Sequence, residues 1–222
     1  MRSSPKVFAW DFHGTLERGV EVGFWQILKI LAKEHKISED FQLKEVRKLY
    51  GTSIAAYLRH FFPTSSEGVI KVMMKRIAEA QNQDHLKSYI KAVPGAKEIL
   101  SKIKKAGHKN IVISNSHPNH INPLIKILGM ADLIEEVYAI DRHYVNKKID
   151  PIKEKTKILK KLIKLNKLKN GELIAIGDRS TDVNAGLAAG AITYQYIRQG
   201  FPIDKTAAHF KINNLRKVLE QI

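Results

Sequence analysis

Two short acidic motifs carry the residue types that could do chemistry. V-F-A-W-D-F-H-G-T-L occupies positions 7–16, and L-I-A-I-G-D-R-S-T-D occupies positions 173–182. In each, an apolar run of strand type stops at an aspartate and continues into Gly, Ser or Thr. A buried strand that ends on a carboxylate and then turns sets that carboxylate at the carboxyl edge of a parallel sheet. Open α/β folds collect their ligands at that edge. Two such strands would bring Asp11, Asp178 and Asp182 together as a site for a hard cation and a phosphate, with one aspartate free to act as nucleophile.

The rest of the chain must position these groups. After the first motif the pattern is helical, with no convincing strand. Phe24, Ile27, Leu28 and Leu31 form one apolar stripe. Ile54, Tyr57, Leu58, Phe61 and Phe62 form a second, stopped by Pro63, and Val69, Val72, Met73 and Ile77 form a third. From Val93 helices and strands alternate. A helix opens after Pro94 and closes at Gly107, and the strand N-I-V-I-S-N-S follows. Next come a helix around 122–128, the strand E-V-Y-A-I, a lysine-rich helix, the strand L-I-A-I-G-D, a helix from about Thr181 to Ala189, the strand A-I-T-Y-Q-Y-I, H-F-K-I and a short helix over 214–221. This βαβ alternation predicts a doubly wound parallel sheet of Rossmann-like type, with helices on both faces. The expected division is an α/β core from 1–16 and 93–222, with a helical cap inserted over 17–92 above the carboxyl edge.

Composition sets further bounds. At 222 residues with 44% apolar content the chain can bury a sizeable core. It has no cysteine, which excludes disulfides, thiolate-bound zinc and thiol nucleophiles. The opening residues are too short in apolar character for a signal peptide, and no run approaches a membrane span, so a cytoplasmic protein with no membrane partner is expected. The net charge is +16, with lysine densest over 152–169. There Ile158, Leu159, Leu162, Ile163 and Leu165 recur at helical spacing, so the lysines read as a solvated face. A basic stripe also attracts phosphate backbones, but no nucleic-acid module accompanies it, and a nucleic-acid partner is not expected. On either reading the positive field favours anionic substrates.

Asp11 with Thr15, Ser114 with Asn115, the lysines near 153–155, and Asp178 with Asp182, in that order, resemble the haloacid dehalogenase superfamily of hydrolases, in particular its phosphoglycolate-phosphatase-like members with a helical cap. The likeness covers nearly the whole chain, and it implies a magnesium-dependent phosphatase acting on small phosphorylated metabolites through an aspartyl-phosphate. On it, Asp11 is the nucleophile, the backbone carbonyl of His13 completes the metal shell, and Thr15 orients the nucleophile. Ser114 and the N–H of Asn115 hold the phosphate oxygens. Asp178 is a direct Mg²⁺ ligand, and Asp182 binds through water or orients a lysine. That lysine is Lys155, which lies 23 residues before Asp178, as in phosphoserine-phosphatase-type members. Lys153, Lys147 and Lys148 are the other candidates.

His13 departs from the pattern. Phosphatases of the superfamily carry a second aspartate here, which protonates the leaving alcohol and then activates water. Imidazole is able to do both jobs. A phosphonatase or a dehalogenase also lacks that aspartate. The acidic pair Asp178 and Asp182 counts against metal-free dehalogenation, and nothing singles out Lys29 or Lys33 as the Schiff-base lysine a phosphonatase would want. A basic, nucleic-acid-associated protein with vestigial catalysis is a rival of another class. His117 and His120, after the Ser114 motif, are within reach of a substrate or lie on a solvated loop. Arg47, Tyr50 and Thr52, around Gly51, resemble the loop with which relatives contact the leaving group. Trp10 and Trp25 carry no signal beyond packing or exposure. The substrate and the oligomeric state are not encoded in any motif.

Overall fold

The computed structural model describes residues 4–38, 40–82, 84–141 and 149–222. In chain order the elements begin with β1 (Val7–Trp10), β2 (Glu17–Arg18), α1 (Val20–Glu34), α2 (Leu43–Lys48), α3 (Ile54–Phe61), α4 (Glu67–Asn82) and β3 (Lys91–Ala92). They continue with α5 (Ala96–Lys105), β4 (Lys109–Ser114), α6 (Pro118–Ile127), β5 (Glu136–Ala139), α7 (Pro151–Asn166), β6 (Leu173–Gly177), α8 (Ser180–Ala189), β7 (Ile192–Tyr196) and β8 (Phe210–Ile212). Two compact units result. Met1–Arg18, Ala92–Gln199 and Ile203–Ile222 form the first, and Gly19–Lys91 with Gly200–Pro202 forms the second. Among the described residues, no helix is long and apolar enough to cross a membrane.

The first unit is the expected α/β architecture. Six strands form one sheet in the order β5-β4-β1-β6-β7-β8, with every described pairing parallel. Apolar runs such as V-F-A-W and L-I-A-I-G make its central strands, because a parallel sheet covered on both faces buries every side chain. Alternation then sorts them. Val7, Ala9, Ile111, Ile113, Leu173 and Ala175 cluster with Leu159 and Leu162 of α7 and Ala185 of α8. Phe8 and Trp10 point to the other face, fully buried. The Trp10 indole N–H donates to Asn110 Oδ1 (3.1 Å), and the Asn110 amide donates to the Leu100 and Leu133 carbonyls, so the buried polar atoms are paired.

The second unit is helical. Phe24, Ile27, Leu28 and Leu31 of α1 and Ile54, Tyr57 and Leu58 of α3 are buried, as their spacing predicts. The α4 stripe differs. Ile70, Met73 and Ile77 are buried while Val72 is 60% exposed. Both sets fit a period of 3.6, and packing rather than hydropathy chose the phase. The closing segment Leu215–Gln221 is 3₁₀ rather than α-helical. The helix expected around 122–128 starts earlier, at Pro118, because His117 caps it and proline suits the first helical position.

Candidate active site

Three carboxylates meet at the carboxyl edge of the sheet. Asp11 follows β1, and its N–H donates to Ile176 O of β6 (2.8 Å). Asp178 follows β6, and Asp182 lies in the first turn of α8. One oxygen of each lies within 4.8 Å of the others. The sheet order makes this possible, because β1 sits between β4 and β6.

Lys155 reaches the cluster from α7. It shares the buried face of that helix with Leu159 and Leu162, at i, i+4 and i+7. Its ammonium donates to Asp11 Oδ1 (3.0 Å), to Ile113 O (3.2 Å) and to Asp182 Oδ1. Lys153, two residues earlier, is exposed on the opposite side. Lys147 and Lys148 lie outside the described residues.

Charge is unbalanced here. Burial pulls the Lys155 ammonium down, but Asp11 and Asp182 outweigh it and hold its pKa above the ordinary lysine range. Burial, then the charges of Asp11 and Asp182, pushes the Asp178 carboxyl well above the usual range. Burial likewise raises Asp182 to about 6, against the pull of Lys155. Both Asp182 oxygens are engaged, one by Lys155 and one by Arg179 N–H (3.2 Å). Asp178 Oδ1 is buried without a hydrogen-bond partner. A hard divalent cation fits this donor set of crowded oxygens in carboxylate excess. Asp178 and Asp11 could supply direct contacts, while Asp182 already accepts from Lys155 and Arg179.

Ser114 is the last residue of β4 and buried, and its hydroxyl accepts from Ser116 N–H (3.2 Å). Asn115 Oδ1 is buried without a partner. Thr15 is fully buried, and its hydroxyl makes no hydrogen bond to Asp11 or to any other described residue. The N–H groups of Thr15, Leu16 and Glu17 all converge on Phe12 O and build the tight turn after Asp11. Gly14 has φ +90°, and a Cβ there would collide with the Asp178 carboxylate and lie 2.8 Å from Arg198 Nη1. His117 accepts from Asn119 N–H (3.1 Å) as the α6 cap, with the His120 ring 5.6 Å away.

Within the helical unit, Arg47 bonds the buried Glu21 (3.2 Å) and lies over the Phe201 ring, against which Tyr50 also packs. The Thr52 hydroxyl is buried without a partner. Lys29 stands over the Trp25 ring (4.1 Å), and Lys33 is exposed.

Two residues at the site carried no motif. Arg198, just beyond β7, brings Nη1 to 3.9 Å from Asp178 Oδ2. Glu17, fully buried, holds His13 Nδ1 at 2.8 Å.

The sequence profile of the haloacid dehalogenase-like hydrolases matches residues 8–195. The chain belongs to this family. No curated protein matches the sequence. Solved structures of similar fold include a predicted phosphoglycolate phosphatase from Haemophilus somnus (15% identity, 98% of both chains, TM-score 0.80). Another is a HAD family hydrolase from Deinococcus radiodurans with bound phosphate and sodium (18% identity, 97% of this chain and 93% of that one, TM-score 0.69). A third is a HAD-superfamily hydrolase of subfamily IA from Geobacter sulfurreducens (18% identity, 98% and 96%, TM-score 0.71). At these identities the likeness establishes the fold.

The hydrolase's site depends on close packing at Gly177. A Cβ there would fall on the Asp182 side chain, 2.5 Å from Oδ2 and nearer still to Cβ and Cγ. Gly177→Ala should push Asp182 off Lys155 and cost about 1–3 kcal/mol of overpacking strain. Urea unfolding measures the cost, and a wild-type midpoint would show that Asp182 yields freely.

Proposed function

We propose that this hydrolase is a magnesium-dependent phosphatase of small phosphorylated metabolites, working through an aspartyl-phosphate on Asp11. The observation that carries the reading is the Lys155 ammonium bridging Asp11 and Asp182, with Asp178 alongside. A carboxylate is a weak nucleophile, and phosphoryl transfer asks mainly for positioning and neutralised charge. Lys155 holds the Asp11 oxygen in place and supplies positive charge to the phosphoryl oxygens. Ser114 and the backbone N–H of Asn115 complete the cradle. Asp11 attacks phosphorus as the ester P–O bond breaks, and water then cleaves the acyl-phosphate and regenerates the carboxylate.

Asp11, Asp178 and the His13 carbonyl would hold Mg²⁺, with Asp182 steadying Lys155. When bound, the cation neutralises charge on the transferring group. The related Deinococcus radiodurans hydrolase, with its bound phosphate and sodium, supports a site of this chemistry, and the Haemophilus somnus protein supports a small phosphorylated acid as the substrate class. The acidic pair disfavours metal-free dehalogenation. Lys29, spent on the Trp25 ring, offers no support for a Schiff base.

A screen of phosphorylated metabolites, scored by phosphate release with and without Mg²⁺, tests the reading. Full activity in excess chelator would overturn it.

A second expectation concerns stability. Folded Asp182 holds its proton more tightly than its ordinary value of 3.8, with a pKa of about 6. Its contribution to cation-free stability is therefore present below pH 3.8 and lost as pH rises through about 6. Mg²⁺ stabilises the fold by mass action and meets less proton competition at higher pH. It should raise the melting temperature more at about pH 7.5 than at about pH 5. Equal increments would place the cation away from Asp178 and Asp182.

A further inference from the structure

We infer that Glu17 is the positioning residue of a His13–Glu17 dyad that takes over the proton work of the absent second carboxylate; the inference rests on the phosphatase reading. Glu17 is completely buried, and an ionised carboxylate there is costly unless paired and hydrogen-bonded. Its Oε2 lies 2.8 Å from His13 Nδ1. The backbone fixes both partners within one turn, since Gly14 N–H donates to Glu17 O (2.9 Å) and Glu17 N–H donates to Phe12 O (3.0 Å). The buried Phe12 ring packs edge-on against the imidazole, with centroids 5.1 Å apart. The ring is thus clamped by Phe12 and by Glu17.

The chemistry follows from which nitrogen is engaged. A carboxylate accepts, so Nδ1 carries the hydrogen toward Glu17. Nε2 makes no hydrogen bond to any described residue, and the His13 side chain is 20% exposed. Nε2 is therefore the nitrogen left for the reaction. Its proton passes to the ester oxygen as the P–O bond breaks, the bonding pair staying on that oxygen. The lone pair thus freed on Nε2 then takes a proton from the water that attacks the aspartyl-phosphate. The Nδ1 hydrogen stays on Nδ1 throughout, donated to Glu17 Oε2. The substrates that need this service are alkyl phosphates, whose alkoxide leaves poorly without a proton.

Glu17→Leu and Glu17→Gln, each compared with wild type on glycerol 2-phosphate and p-nitrophenyl phosphate, test the dyad. The quantity to compare is kcat/KM, which covers only the steps up to loss of the alcohol. Glu17→Leu should lose about a hundredfold on glycerol 2-phosphate, within the general acid–base range. On p-nitrophenyl phosphate, whose phenolate leaves unaided, it should lose less than about fivefold. Glu17→Gln should recover most of the loss, because its amide oxygen accepts the same Nδ1–H. Nitrogen-15 spectra of His13 should show Nδ1 protonated in wild type and Glu17→Gln, and a mixture of tautomers in Glu17→Leu. Equal losses on both esters, or tautomers that ignore Glu17, would overturn the dyad. Failure of wild type to release phosphate from any ester would instead defeat the phosphatase reading, while the spectra would still decide whether Glu17 holds the ring.

Discussion

Asp11→Asn is expected to lower turnover about a thousandfold or more, roughly 4 kcal/mol on the barrier, in a protein that folds normally. Asparagine keeps the shape of the side chain and retains an oxygen for the Lys155 ammonium, now 3.0 Å from Asp11 Oδ1. What it removes is the charge proposed to attack phosphorus. Stability should hold or rise, because Asp11 is one of the charges that push Asp178 and Asp182 away from ionisation. Phosphate release and thermal unfolding, measured on one preparation, check both halves. A variant that keeps more than about one per cent of wild-type turnover would mean that the nucleophile lies elsewhere, since that residue is less than 3 kcal/mol of barrier.

Lys155→Met should damage stability as much as activity. Methionine fills a similar volume against Leu159 and Leu162, so packing is largely preserved. The missing cation leaves Asp11 and Asp182 facing each other with Asp178 nearby, all three close together in a buried cluster. Removing one partner of a buried ion pair costs about 3–5 kcal/mol. Phosphate release should vanish with it. The cost is electrostatic, so Asp182→Asn placed in the same chain should recover part of the stability without recovering turnover, and the double-mutant cycle gives the coupling directly. A Lys155→Met protein as stable as wild type would mean that the carboxylates are already protonated and that the ammonium does not hold them.

The sequence exposed the parts of this fold where one requirement dominates. V-F-A-W-D and L-I-A-I-G-D could be read because a covered parallel strand tolerates only apolar residues, and the aspartate marks where cover ends. Lys155 was favoured over Lys153 by its 23-residue offset from Asp178, and the structure adds the physical reason, a helix face shared with Leu159 and Leu162. The α4 stripe was ambiguous, since Val69 and Val72 alternate with Ile70 and Met73 at spacings that serve two neighbouring faces. Thr15, read as orienting the nucleophile, gives its N–H to Phe12 O, and its hydroxyl is buried without a hydrogen-bond partner among the described residues. Arg198 and Glu17 stayed invisible for a different reason. Their importance lies in what they face, Asp178 in one case and His13 in the other, and no local pattern announces a facing residue.

The position of β1 bears on how the chain is made. Val7 pairs with Lys109 on one side and with Leu173 on the other, 102 and 166 residues further along. A nascent chain therefore carries β1, already leading into Asp11, through the 102 residues up to Lys109 with no native neighbour in the sheet. Helical residues 19–91 emerge first and can form local contacts in the meantime. Native pairing of β1 is half satisfied when β4 emerges and complete only when β6 does. Closing loops of this length is slow, and an unpaired apolar strand is adhesive while it waits. Chains that stop short of residue 173 should accumulate in aggregates or on chaperones, and the interval before β6 emerges is when this protein most needs protection.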